Sequence, residues 1–348
     1  MKKDIIKSYN GKRALLVGNG VNRLDEKQSI SWKELLQALQ NNLEVDLKIE
    51  TDLDNKFKPF PLGFEEMLHR TVGKIPFEDK IKRLKKKIRE NIYHQLKGKA
   101  GFNKYHCFLM NLPYEDYLTT NYDYALEISS YHNFIEEKNN FAENKQEPKH
   151  SLRRRYFLEN KRVWHIHGEL EDSRNLSDDS KYYHEESIMI GYEHYSSYLE
   201  QIQANIKGTS KKIDEPEKNS LMVRIINRQT KFYWLDMFFT HNLDIVGLGL
   251  DFSENHLWWL LNLRANYIRK ENRGKDRVII NNKIRYFYPV LPKPKSESMS
   301  LEDIENYKNE NEKEKAIGDV LKAFQVDVIS LECNTHEDFY EQLKYRLS

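Results

Sequence analysis

The 348-residue chain carries 56 Lys and Arg against 54 Asp and Glu, and a net charge of +2 excludes a protein that binds nucleic acid through bulk basicity. Cys107 and Cys333 are its only cysteines, which excludes a disulfide framework and any four-cysteine zinc site and fits a reducing cytoplasm. Residues Met1 to Lys7 are followed by no apolar region of signal-peptide length, and no run is apolar enough to span a bilayer, so a soluble cytoplasmic protein without membrane contact is expected.

Arg13-Ala14-Leu15-Leu16-Val17 is a short apolar run closed by glycine, the pattern of a strand buried on both faces. Beyond the turn, Ser31-Trp32-Lys33-Glu34 reads as a capping box, and Trp32, Leu35, Leu36, Leu39 and Leu43 recur at helical spacing. A helical insertion is predicted over about 51–112, with Phe64, Met67 and Leu68 and then Ile81, Leu84, Ile88 and Ile92 on apolar stripes. Its basic run from Lys80 to Lys87 reads as a solvated helix face.

Strand signals follow at Asp116 to Thr120, Val163 to Ile166, Ser187 to Ile190, Leu243 to Val246, Ile284 to Val290 and Val326 to Leu331. Most are separated or flanked by helical segments. That alternation predicts an α/β, Rossmann-like, mainly parallel sheet with helices on both faces. Charged stretches at about 136–155, 207–219 and 293–315 read as surface loops or disordered insertions within one domain over 1–348.

Four motifs fall at strand ends. The turn Gly18-Asn19-Gly20-Val21-Asn22 would let backbone approach a pyrophosphate, although the third glycine of the dehydrogenase fingerprint falls at Arg23. Thr119-Thr120-Asn121-Tyr122-Asp123 places polar side chains past the carboxyl end of a strand; taken alone, the motif favours Asn121 or Asp123 as a cap for a helix Tyr124 to Ser130. His165-Ile166-His167-Gly168 ends a third strand. A metal pair of His165 and His167 is disfavoured, since no cysteine is near and no carboxylate pair stands at ligand spacing; a histidine at a strand end suits proton transfer better. The fourth motif, Gly247-Leu248-Gly249-Leu250-Asp251, precedes Ser253, placed to cap a helix His256 to Leu263, whose Trp258 and Trp259 read as core.

Taken together, Gly18-Asn19-Gly20 with the Trp32 helix, Thr119 to Asp123, His167-Gly168, Ile188-Met189-Ile190 with Tyr195, Gly247-Leu248-Gly249 and the final strand with helix His336 to Leu347 resemble the bacterial sirtuin-like family of antiphage NAD hydrolases. The resemblance runs through nearly the whole chain. It implies Asn121 and His167 as the catalytic pair, and NAD contacts from Gly18, Asn19, Gly20, Asn22, Thr120, Asp123, Gly247, Gly249 and Asp251, with Asp123 near the nicotinamide end. Two departures stand out: the zinc module of protein-deacylating sirtuins is absent, and Asn19 and Asn22 replace the small Ala and Ser common in sirtuins.

The resemblance implies NAD as substrate, no metal, and hydrolysis to nicotinamide and ADP-ribose by the toxic effector of an abortive-infection system. A nucleotide-binding sensor without turnover is the alternative, followed by a protein deacylase and a dehydrogenase. An ungated NAD hydrolase would starve its host. Control is therefore expected from homo-oligomerisation or from a partner such as a HerA-type ATPase or a short Argonaute, with no direct nucleic-acid contact.

Overall fold

The computed structural model describes residues 6–24, 59–70, 76, 79, 102–148, 150–169, 188–210, 215–271, 278–292 and 301–347. Its strands are β1 (Ile6–Lys7), β2 (Arg13–Val17), β3 (Asp116–Thr119), β4 (Ala142–Glu143), β5 (Arg155–Leu158), β6 (Lys161–His165), β7 (Asn242–Val246), β8 (Val278–Ile279), β9 (Ile284–Val290) and β10 (Asp327–Glu332). Eight of them form one sheet in the order β10-β9-β7-β2-β3-β6-β5-β4, and β1 pairs with β8 apart from it. From β10 to β6 every pairing is parallel; β5 and β4 extend that edge antiparallel. Counted in chain order, the parallel strands read 3-2-1-4-5-6, the Rossmann order, and the order reverses between β2 and β7.

The helices are α1 (Phe60–Arg70), α2 (Lys104–Asn111), α3 (Ala125–Ser130), α4 (Phe134–Phe141), α5 (Tyr192–Lys207), α6 (Leu221–Ile226), α7 (Met237–Thr240), α8 (Asn255–Glu271), α9 (Leu301–Ala323) and α10 (His336–Leu347). Strand side chains alternate between faces, so the sheet carries two cores. On one face Ala14, Leu16, Leu118, Trp164, Leu243 and Ile245 pack against residues of α5 to α9, including Tyr198, Ile225, Phe238, Leu260 and Leu321. On the other, Leu15, Val17, Tyr117, Val163 and Phe287 pack against residues of α2, α3, α4 and α10, including Leu109, Leu126, Phe134 and Leu343. The apolar runs of β2 and β7 are continuous because both of their faces are covered.

Several expectations are revised. Residues 136–155, expected as a surface insertion, end α4 and build β4 and the start of β5. Their charges are satisfied internally: Arg154 pairs with Glu169, Arg155 with Glu143, and Lys138 lies over the Tyr124 ring. Within 293–315, the residues from Leu301 onward are helical, and α9 is anchored by Ile317 and Leu321 beyond its charged part. Of the strand expected at Ser187 to Ile190, the described residues, from Ile188 onward, form a single bridge, Ile188 to Gly168. Within 207–219, Lys207 ends α5 and, among the described residues, Ser210 and Asn219 form a bridge. The Trp32 helix and its Ser31 cap, the Ile81 to Ile92 stripe and the Lys80 to Lys87 run lie outside the described residues. Among the described residues no helix is long and apolar enough to cross a membrane.

At the reversal point the loops leaving β2 and β7 press backbone on backbone. The Gly18 N–H donates to Val246 O at 3.0 Å and the Gly20 N–H to Gly247 O at 2.7 Å. A Cβ on Gly18 would lie 2.4 Å from Gly247 O and 2.5 Å from Leu248 Cα, and neither main-chain atom can step aside alone. Gly249, by contrast, has nothing within 4 Å of a Cβ position. Gly18→Ala should therefore cost roughly 1–3 kcal/mol in urea denaturation, while Gly249→Ala should stay within about 0.5 kcal/mol of wild type. Equal midpoints for the two variants would show that the loops part without strain.

Candidate active site

The parallel register lines up the motifs. Val17 pairs with Thr119 and Val246, and Thr119 with His165. Asn19, Asn121, His167 and Leu248 are therefore each two residues beyond one row of the sheet, at the carboxyl ends of four neighbouring strands. This is the crevice in which open α/β sheets hold ligands.

Asn121 is buried and is fixed through its main chain. Its N–H donates to Thr119 Oγ1 at 3.0 Å, and its carbonyl accepts from His165 Nδ1 at 2.9 Å. The side-chain amide makes a long 3.4 Å contact to Gly18 O, leaving Oδ1 buried and without a hydrogen-bond partner. Thr120, one residue earlier, is also buried, its N–H on Val17 O at 3.3 Å.

His165 is not free for ligand chemistry. Its Nε2 lies 2.7 Å from Glu127 Oε1, so both ring nitrogens donate. Burial alone would favour the neutral ring, but the Glu127 carboxylate and the Asn121 carbonyl prevail and raise the pKa to about 9. Both neighbours are fully buried, with Tyr124 and Tyr156 edge-on to the imidazole. His165 thus acts beneath the site, holding the Asn121 backbone.

His167 turns away from His165. The strand ends at His165, Gly168 takes a positive φ of 85°, and Met189 N–H closes on His167 O at 2.8 Å. Its ring is fully buried edge-on to Tyr195, with Nε2 3.0 Å from His256 Nε2 and 3.3 Å from Glu254 Oε2. Nδ1 of His167 has no hydrogen-bond partner. Glu254 and His256, at the start of α8, are functional candidates that the sequence reading passed over. The only sequence signal was an acid two residues ahead of a histidine at a helix start, an ordinary surface pattern.

The remaining candidates form a supporting network. Asn22 Nδ2 donates to Asn19 Oδ1 at 2.9 Å and to Asp123 Oδ2 at 2.8 Å. Its Oδ1 accepts from His106 Nε2 at 2.7 Å, because His106 Nδ1 already accepts the Asn103 N–H in the capping box of α2. Burial drives His106 to the neutral ring, with a pKa of about 3. Asp123 Oδ1 accepts the Ala125 N–H at 3.0 Å from one residue before the N-cap Tyr124, which has no side-chain cap bond, so Asp123 ties down the entry of α3 without capping it, and burial raises its pKa. The Gly18 and Gly20 N–H groups face β7, which makes closeness to Gly247 the structural reason for these glycines. In the β7 loop, Gly247 has φ 63° and Leu250 has φ 44°, a backbone region disfavoured for leucine. Asp251 Oδ1 accepts the Ser253 N–H at 2.9 Å, and its carboxylate pairs with Lys313, which holds its pKa down against partial burial. Trp258 and Trp259 pack against the core from its margin and line a groove of about 510 Å³ between α5 and α8.

No protein-family model and no curated protein matches the chain.

The His165 charge makes a signed prediction. Its folded pKa of about 9 lies above the ordinary 6.5, so the folded state binds the extra proton. The pair's contribution, on the order of 3 kcal/mol, is fully present below about pH 6.5 and is lost as pH rises through about 9. Urea midpoints of wild type should fall across that window, and those of Glu127→Gln should be lower at neutral pH and flatter. Parallel profiles for the two proteins would exclude a charged His165.

Proposed function

We propose that the chain is an NAD hydrolase that cleaves NAD to nicotinamide and ADP-ribose, with Asn121 and His167 as its catalytic residues. The observation that carries this reading is a pair of buried, unpartnered atoms, Asn121 Oδ1 and His167 Nδ1, at the carboxyl ends of adjacent parallel strands beside the β2–β7 crevice. Buried polar atoms normally have partners, so two orphans at a Rossmann crevice favour a polar ligand. The resemblance of these motifs to sirtuin-like NAD hydrolases supplies the chemical identity.

The reaction needs little acid. The nicotinamide ring of NAD is already cationic, so when the bond from ribose C1′ breaks, its electron pair neutralises the ring nitrogen. What remains is an electron-poor ribose carbon and a water that must lose a proton. Asn121 Oδ1 accepts from that water or from a ribose hydroxyl, and His167 Nδ1 takes the proton as oxygen bonds to C1′. This assignment uses the tautomer with the His167 proton on Nε2. Burial holds His256 well below the usual histidine pKa, so its neutral Nε2 is able to accept that hydrogen. Asp123 and Asn22 position the β2 and β3 ends, and Asp123 has only its remaining lone pairs for the carboxamide.

Asn121→Ala or His167→Ala should each reduce nicotinamide release by at least ~10²-fold while circular dichroism stays native. The assay is run with and without an acylated peptide. Full turnover by folded His167→Ala refutes the assignment; NAD retained without release by wild type favours a sensor; release that requires the peptide favours a deacylase.

Control through a second subunit or a larger partner belongs to the same proposal. The described start of the insertion, α1, seats Phe64 and Glu65 against Gly191, where the chain enters α5 and reaches Tyr195 on His167. Specific activity should rise with protein concentration in step with oligomer mass by light scattering. A fully active monomer that no partner affects would dismiss this control.

A further inference from the structure

We propose that His167, His256 and Glu254 form a binding site for a divalent transition-metal cation of the zinc type, and that its occupancy switches hydrolysis off. The second half rests on the hydrolase reading; the binding site does not.

The donor set is complete. A ring nitrogen of each histidine and a carboxylate oxygen of Glu254 all lie within 4.8 Å of one another, the only such group among the described residues. Two separations are resolved, 3.0 Å between the Nε2 atoms and 3.3 Å from His167 Nε2 to Glu254 Oε2. Donors about 2.0–2.1 Å from a tetrahedral zinc stand roughly 3.3 Å apart, so three corners of a tetrahedron are nearly in place. A His₂Glu set leaves the fourth position for water.

A hydrogen bond alone leaves the cluster unsatisfied. One proton between the two imidazoles accounts for both Nε2 atoms, yet Glu254 Oε2 remains buried without a hydrogen bond. A cation engages all three. The site lies at the amino end of α8, whose partial positive charge opposes a cation, and the Glu254 carboxylate offsets that. The α5–α8 groove adjoins the cluster: Tyr195 and Asn255 line it, and Tyr195 packs on both histidine rings.

Occupancy would invert the base. A neutral histidine that binds metal through Nε2 must carry its proton on Nδ1. In the proposed hydrolysis Nδ1 of His167 is the proton acceptor, so the cation converts it to a donor. The proton moves from one nitrogen of the same ring to the other, and none leaves the protein. None of the residues proposed to contact NAD is a ligand of the cation, while the water loses its base.

The test uses the full chain, stripped with chelator and titrated with cobalt(II) as the spectroscopic probe. Visible absorption of tetrahedral cobalt should saturate at one equivalent and be displaced by zinc. Glu254→Gln, at a partly exposed position suited to an isosteric change, should weaken binding at least 10-fold, and His256→Ala should abolish the band. Zinc should raise the melting temperature of wild type but not of Glu254→Gln. One equivalent of zinc should cut wild-type NAD cleavage at least 10-fold, reversibly with chelator. Absorption that is the same in wild type and both variants overturns the site and leaves the hydrolase reading standing. Site-dependent binding with zinc-stimulated cleavage, or with no cleavage under any condition, overturns the switch and with it the metal-free hydrolase.

Discussion

The organisation of this protein depends on the close approach of two main chains. Where the strand order reverses, the loops after β2 and β7 would normally diverge and leave an open crevice. Here Gly18 and Gly20 bring the first loop onto Gly247 of the second, with both N–H groups donating across the seam. The positive φ of Gly247 and a Tyr340 hydroxyl 2.4 Å from its Cβ position leave no room for a side chain on either side. This contact fixes the height of the β2 turn and, through Asn22, the Asp123 end of β3. It also gives the glycines a role that precedes ligand binding, since the amides a phosphate would need at Gly18 and Gly20 already serve the fold.

Around that seam, buried histidines are held in different states by their surroundings. His106 has one acceptor duty and no carboxylate, and burial keeps it neutral. His165 faces Glu127 in an equally buried position, and the carboxylate outweighs desolvation. The same ring, equally buried, is thus held neutral in one place and held as a cation at neutral pH in another. His167 and His256 differ from both: they face each other, with unpartnered Nδ1 atoms. Their unfilled hydrogen-bonding capacity distinguishes them from structural histidines, and no sequence pattern encodes it.

Much of the sheet was legible in sequence because burial on both faces leaves an unbroken apolar run. Arg13 to Val17 and Leu243 to Val246 are readable for that reason, and their glycine stops locate the crevice. The antiparallel edge at β4 and β5 was not legible. Its charges resemble a solvated loop, and only the fold supplies Glu169 and Glu143 as partners. Asn121 and His167 were readable as polar residues past strand ends; their alignment needed the register of four strands. Asp123 carried two readings; it is not the cap, which is Tyr124, but its bond to the Ala125 N–H holds the chain one residue before the helix. The pairing of His167 with His256, 89 positions away, lay beyond any spacing argument.

Control at His167 and control through the insertion make different physical demands. Moving α1 must break a seated contact, because Gly191 holds a φ of 87° with Glu65 and Phe64 packed where a Cβ would stand. Such a change needs a partner that binds the displaced arrangement more tightly, by several kcal/mol for a near-complete shift. A tautomer exchange on His167 moves one proton across a ring and no backbone. Its leverage is nonetheless the full contribution of a positioned base, about 10²–10⁴-fold. In the proposed hydrolysis, a ring with one nitrogen turned to substrate and the other to a carboxylate and a second imidazole is silenced without unfolding or rearrangement. Glu254, with its backbone at the entrance to α8 and its oxygen 3.3 Å from His167 Nε2, is the one carboxylate placed against that ring nitrogen among the described residues.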